Sequence, residues 1–131
     1  MILVDSSAWI EYLRDTGSAV CEEVDRLLDA ELATCDVVRM EVLAGARGET
    51  HLSQLRGLLA RTVTLPTEPI DYELAASLYR TCRRNGATVR KLVDALIAAV
   101  AIRHEVALLQ ADADLEVLAR HTALVLHQPP P

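Results

Sequence analysis

Residues 92–102 read Leu-Val-Asp-Ala-Leu-Ile-Ala-Ala-Val-Ala-Ile, and Asp94 is the only polar side chain among them. An ionised carboxylate in apolar surroundings is costly unless it is paired or binds a metal. A helix offers it Arg90 and Lys91, four and three residues back on the same face. Glu41 repeats the theme within Val37-Val38-Arg39-Met40-Glu41-Val42-Leu43-Ala44, where it could also face water from an amphipathic helix. Asp5 follows the apolar run Ile2-Leu3-Val4, and Asp112 and Asp114 follow Val106–Leu109. Each of these three could also cap the helix that comes next.

Carboxylates converging within a few ångströms repel one another and raise each other's pKa values. A divalent cation resolves that conflict, and an all-oxygen ligand set selects hard ions such as Mg²⁺ or Mn²⁺. Zinc is disfavoured, because His51, His104, His121 and His127 form no HxxxH pair and Cys21, Cys35 and Cys82 form no CxxC pair.

Positioning such a cluster is a task for the elements around it. Ile2-Leu3-Val4 reads as a strand, and helical periodicity follows over Ala8 to Arg14 and Ala19 to Leu32. A strand over Ala33–Cys35 leads to a helix capped by Asp36 and running to about Ala46. A helix from Thr50 to Ala60 and a strand over Thr62–Leu65 come next, then a break at Pro66 and Pro69. Tyr72 to Arg84 reads as a helix stopped by Asn85-Gly86, and Lys91 to His104 as the strongest helix of the chain. A strand over Val106–Leu109, a helix over Asp114–Arg120 and a strand over Ala123–Leu126 complete the pattern. Alternating strands and helices predict an α/β fold, a mostly parallel central sheet of four to five strands with helices on both faces. In open sheets of that kind ligands bind beyond the carboxyl ends of the strands, where Asp5, Asp112 and Asp114 fall.

A length of 131 residues suits one domain, expected over residues 1–128 with a Pro-rich tail at 129–131. Aromatics are 3% with no Phe, so the core must be aliphatic. The odd number of unpaired cysteines points to a reducing compartment, and no apolar stretch is long enough to span a membrane, so a cytoplasmic location is expected. A net charge of −6 argues against a general nucleic-acid binder but suits a metal-carboxylate site, whose cations are missing from the count. No lysine-bearing phosphate loop ends Gly45-Ala46-Arg47-Gly48-Glu49, and no GxSxG elbow surrounds Ser6 or Ser7. A haloacid-type phosphatase needs Asp-x-Asp where this chain has Asp5-Ser6-Ser7. A non-catalytic α/β module with an acidic pocket, either receiver-like or a degenerate nuclease-like protein, is the main rival class.

The runs Val4-Asp5-Ser6-Ser7-Ala8-Trp9, Met40-Glu41, Val93-Asp94-Ala95-Leu96-Ile97-Ala98-Ala99 and Leu108-Leu109-Gln110-Ala111-Asp112-Ala113-Asp114-Leu115 occur in that order. Together they resemble the PIN-domain nucleases, most of all the VapC toxins of bacterial VapBC toxin–antitoxin modules. The resemblance spans nearly the whole chain. It implies metal-holding acids at Asp5, Glu41, Asp94 and Asp112, with Asp114 as an accessory, and a site-ordering hydroxyl at Ser7. The family often has His-x-Asp-x-Asp-Phe where Gln110 and Leu115 stand here, a change that removes no carboxylate. It implies Mg²⁺- or Mn²⁺-dependent endoribonuclease activity on RNA (tRNA, rRNA or mRNA), a homodimer, and a cognate VapB-type antitoxin laid across the acidic site.

Arg80, Arg83, Arg84, Arg90 and Lys91 crowd into the segment before Asp94 and form a candidate phosphate track. The competing account is a solvated helix end whose arginines suit the dipole. Trp9, Tyr12, Tyr72 and Tyr79 are the only rings available for base stacking, and Trp9 is expected in a core or an interface. Apolar faces around Trp9, Tyr12 and Val37 to Leu43 are candidates for partner contacts.

Overall fold

The structure, a computed structural model, describes all residues from Met1 to Pro131. Its elements in chain order are β1 (Ile2–Val4), α1 (Ser6–Leu13), α2 (Ala19–Leu27), β2 (Leu32–Cys35), α3 (Asp36–Ala44) and α4 (Glu49–Leu59). There follow β3 (Val63–Leu65), α5 (Pro69–Arg84), α6 (Leu92–Arg103), β4 (Ala107–Leu109) and α7 (Ala113–His121). The four strands form one parallel sheet in the order β3-β2-β1-β4. Leu3 lies opposite Ala33 on one side and Leu108 on the other. Leu3, Val4, Ala33, Leu108 and Leu109 are completely buried, as strands covered on both faces require.

The expected fifth strand contracts to one parallel bridge between Leu126 and Leu108. The Leu108 amide donates to the Val125 carbonyl, and the His127 amide returns a bond to the Leu108 carbonyl. Beyond it, Pro129, Pro130 and Pro131 carry no N–H with which to extend the pairing.

Two helix boundaries differ from the sequence reading for identifiable reasons. The second helix ends at Leu27 and not at Leu32, because Leu32 is taken into β2, where it pairs with Ile2. The fifth begins at Pro69 and not at Tyr72, since Pro69 suits the first helical position. The Asp71 carboxylate also accepts from the Glu68 amide at 2.8 Å and closes the first turn. Asp36 starts α3 and Cys35 occupies the cap position.

Helix α6 is apolar all round, which is the signature of a buried helix, and every residue from Asp94 to Ala101 is buried. It packs against α5, α3, α7 and β4. At its far end Arg103 makes two bonds to the fully buried Asp71, at 2.6 and 2.9 Å, and locks α6 to α5. No helix is long and apolar enough to cross a membrane.

Candidate active site

Asp5 stands where β1 ends and α1 begins, and it does two things at once. Its Oδ2 accepts the Ser7 amide at 3.0 Å as the helix N-cap, and the Ser7 hydroxyl donates to the same oxygen. Its Oδ1 is buried without a hydrogen-bond partner. The Ser7 hydroxyl also accepts from the Ala111 amide at 2.9 Å, which ties the end of β1 to the loop after β4.

That loop delivers Asp112, the N-cap of α7, whose Oδ1 accepts the Asp114 amide at 2.8 Å. Asp112 Oδ2 is bonded by the Lys91 ammonium. Asp94, in the first turn of α6, is 3% exposed, and its Oδ2 lies 3.5 Å from that same ammonium. The contact is an ion pair without a hydrogen bond, so Asp94 Oδ2 is a second buried oxygen lacking a donor. Arg90, the other expected partner of Asp94, is turned to Asp114. Its Nε donates to Asp114 Oδ1 at 3.2 Å, while the amides of Arg90 and Lys91 donate to Oδ2 at 3.1 and 3.0 Å.

One oxygen from each of Asp94, Asp112 and Asp114 lies within 4.8 Å of the others. Asp5 and Glu41 lie outside this tight group but within reach of its charge. Glu41 is half-buried on α3, and its Oε1 accepts a 3.0 Å bond from the Ser6 hydroxyl. It lines a groove of about 310 Å³ together with the apolar Ile10, Leu13, Val42 and Leu55. Arg14 and Arg47 also line it.

The electrostatics follow from burial first. Desolvation pushes Asp94 up to about 7, the Asp5 charge adds to the rise, and Lys91 opposes it. Burial likewise raises Asp5 against the bonds from Ser7, and raises Glu41 against the bond from Ser6. Burial acts to raise Asp112 as well, but the Lys91 bond and the Asp114 amide prevail and its pKa falls. The Asp112 carboxylate in turn raises the Lys91 ammonium.

The five basic candidates divide into two groups. Arg90 and Lys91 are engaged with the acids, whereas Arg80, Arg83 and Arg84 lie exposed near the end of α5. Arg83 sits 5.9 Å over the Tyr79 ring, and Arg84 bonds the Thr81 hydroxyl at 3.2 Å. Trp9 is completely buried in the core, so the apolar surface near α1 comes from Ile10 and Leu13. Two contacts, Ser6 with Glu41 and Arg90 with Asp114, are not evident from residue spacing. The doubled serine after Asp5 is the available signal for the first, since it sets two hydroxyls in the first turn of α1, directly after β1.

The PIN-domain family model matches residues 2–121. Ribonuclease VapC11 of Mycobacterium tuberculosis is 45% identical over 128 residues, covering 95% of this chain and 96% of the relative. VapC ribonuclease Mb1587 of Mycobacterium bovis matches to the same extent, 45% over 128 residues. Among solved structures, VapBC-1 from nontypeable Haemophilus influenzae superposes with a TM-score of 0.74 at 19% identity, covering 98% of both chains, and shares the fold. With the family pattern extending over β1 to α7 and the acids at the carboxyl edge of the sheet, this chain belongs to the PIN-domain family.

Proposed function

We propose that this chain is a metal-dependent endoribonuclease that hydrolyses RNA phosphodiester bonds, and the toxin of a type II toxin–antitoxin pair. The observation that carries the reading is a pair of buried carboxylate oxygens, Asp5 Oδ1 and Asp94 Oδ2, left without hydrogen-bond donors beside the Asp94–Asp112–Asp114 group. Buried acceptors of that kind are destabilising, and a divalent cation is the partner that satisfies several at once. The donors are all oxygen, which fits Mg²⁺ with Mn²⁺ able to substitute.

Asp5, Glu41, Asp94 and Asp112 would hold the metal, and Asp114, which already accepts from Arg90 and Lys91, would be the accessory that ligates a second ion or orients water. Bound there, a divalent ion supplies a water acidified toward neutral pH and neutralises charge on the phosphate. The protein's own contribution is positioning. Ser7 holds Asp5 Oδ2 and the Ala111 amide together, so Oδ1 remains the free oxygen. Ser6 fixes Glu41, and the Arg90–Asp114 contacts fix the turn from which α6 projects Asp94. Arg80, Arg83 and Arg84 are exposed and would follow the RNA backbone. The resulting ends would be a 5′-phosphate and a 3′-hydroxyl.

The relatives are named ribonucleases, and the VapBC-1 likeness supports an antitoxin partner. Ile10 at 41% exposure, Leu13 at 42% and Met40 at 60% present apolar surface for an antitoxin peptide or for a second copy in a homodimer. The test is cleavage of total cellular RNA by the purified, antitoxin-free protein in Mg²⁺ or Mn²⁺. Discrete 5′-phosphate cuts lost in chelator and in Asp94→Asn are the expected result. A folded wild-type protein that cuts no RNA under any of these conditions would overturn the reading.

A further inference from the structure

The Lys91 ammonium is bonded to Asp112 Oδ2 and stands 3.5 Å from Asp94 Oδ2. Those carboxylates belong to the group whose oxygens converge within 4.8 Å, and Asp94 Oδ2 is one of the two buried oxygens lacking a donor. A positive charge of the protein's own therefore already occupies the neighbourhood in which a divalent ion would sit. We propose that Lys91 is a built-in counter-ion of this cluster, displaced when a divalent cation binds, and that it thereby sets the metal concentration the site requires. The inference rests on the metal-dependent reading above and deepens it.

The local architecture suits such an exchange. The root of the side chain is fixed, because Lys91 is the N-cap of α6 and its amide donates to Asp114 Oδ2 at 3.0 Å. The side chain is 51% exposed, so its four-carbon stem can swing toward solvent without breaking a backbone bond. A compact ammonium on a flexible stem suits this role better than a planar guanidinium, and the neighbouring Arg90 is instead clamped on Asp114. Magnesium-like ions bind carboxylate oxygens at about 2.0–2.1 Å, which leaves no room for an ammonium on the same oxygen edge. Like-charge repulsion acts in the same direction. Once displaced, the ammonium lies at the rim of the site, where an arriving phosphate would meet it.

Three roles for Lys91 make different predictions for metal binding. A pure RNA contact leaves metal affinity unchanged on removal. A structural brace weakens metal affinity when it is lost, because the acids are no longer held. A counter-ion that competes with the metal strengthens affinity when it is removed.

The measurement is a calorimetric Mn²⁺ titration of the purified chain without RNA. Wild type is compared with Lys91→Met, which keeps most of the stem, and with Lys91→Gln as a second neutral variant. Melting curves are recorded with and without Mn²⁺. The expected result is Mn²⁺ binding about five- to tenfold tighter in both variants, the modest size reflecting a half-exposed lysine. Their metal-free melting temperatures fall below that of wild type, and the gap closes at saturating Mn²⁺. Equal or weaker Mn²⁺ affinity in cooperatively folded variants overturns the counter-ion role while leaving the metal site standing. Absence of Mn²⁺ binding in wild type and variants alike overturns the metal-dependent reading itself.

Discussion

The Ala111 amide donates to the Ser7 hydroxyl at 2.9 Å, joining positions 104 apart in the chain at the carboxyl edge of the sheet. Through this one oxygen the loop carrying Asp112 is registered against Asp5, to which Ser7 itself donates. Ser7→Ala removes both links and leaves both backbones in place. Outer-shell changes of this type cost about 10–100-fold in metal affinity or activity. The expected outcome is a loss in that range in the RNA cleavage rate and in Mn²⁺ affinity. The melting temperature should change little, as a nearly intact far-UV transition would show.

Asp94→Asn separates function from stability. The acid lies buried in an otherwise apolar helix and is destabilising without a cation, so the amide should fold at least as well. At pH 8 in chelator the variant is expected to melt a few degrees above wild type by scanning calorimetry, while its cleavage falls by about 100-fold or more. A lower melting temperature in chelator would mean that Lys91 already neutralises Asp94 fully.

The pH dependence of the metal-free protein follows from the same residue. Folded Asp94 keeps its proton up to about 7, against 3.8 ordinarily. The folded state then binds more protons than the unfolded chain, so this contribution is full below about pH 4 and is lost as pH rises through about 7. Asp5 and Glu41, also raised, act in the same direction. Glu23 opposes them, because its bond from Arg26, against burial and with help from His127, lowers it to about 2. Its contribution is present above 4.5 and lost as pH falls toward 2. Melting temperatures in chelator should therefore peak near about pH 5 and decline toward pH 8. Saturating Mg²⁺ should flatten that decline, since a cation holds the carboxylates ionised.

Asp71→Asn tests the opposite end of α6. Asp71 is fully buried, and the Asn amide loses the charge and one of the two oxygens that accept from Arg103 and the Glu68 amide. The expected cost is about 2–4 kcal/mol in denaturant titration. Arg103 lies nine residues from Asp94, about 13 Å along the helix axis, so cleavage per folded molecule should be unchanged.

The elements that sequence pattern revealed were those whose own residues decide them. Asp94 broke the apolar run of α6, and only an all-round buried helix has such a run. Strand order and the contraction of the last strand depend on pairing between distant segments, which periodicity does not encode. Leu32 looked helical by its spacing and became strand because Ile2 lies beside it. In the site, the five acids were visible by type and position, but their partners were not. Whether Arg90 faces Asp94, four residues away, or Asp114, twenty-four residues away, is settled by the turn between α5 and α6. Ser6 and Ser7 are adjacent and alike, yet one holds Glu41 and the other Asp5 and Ala111.

The bridge from Leu126 to Leu108 has a consequence for how these molecules meet at high concentration. A strand with unpaired amides and carbonyls is a template for another chain, and β4 would be one such edge directly beside the carboxylates. Leu126 blunts it. The other outer strand is β3, where Val63 is 42% exposed and Thr64 is exposed, three strands across the sheet from β4. Any edge-to-edge association would thereby fall on the side of the sheet away from the carboxylates, and Pro66, directly after β3, would limit how far a stray strand could grow there.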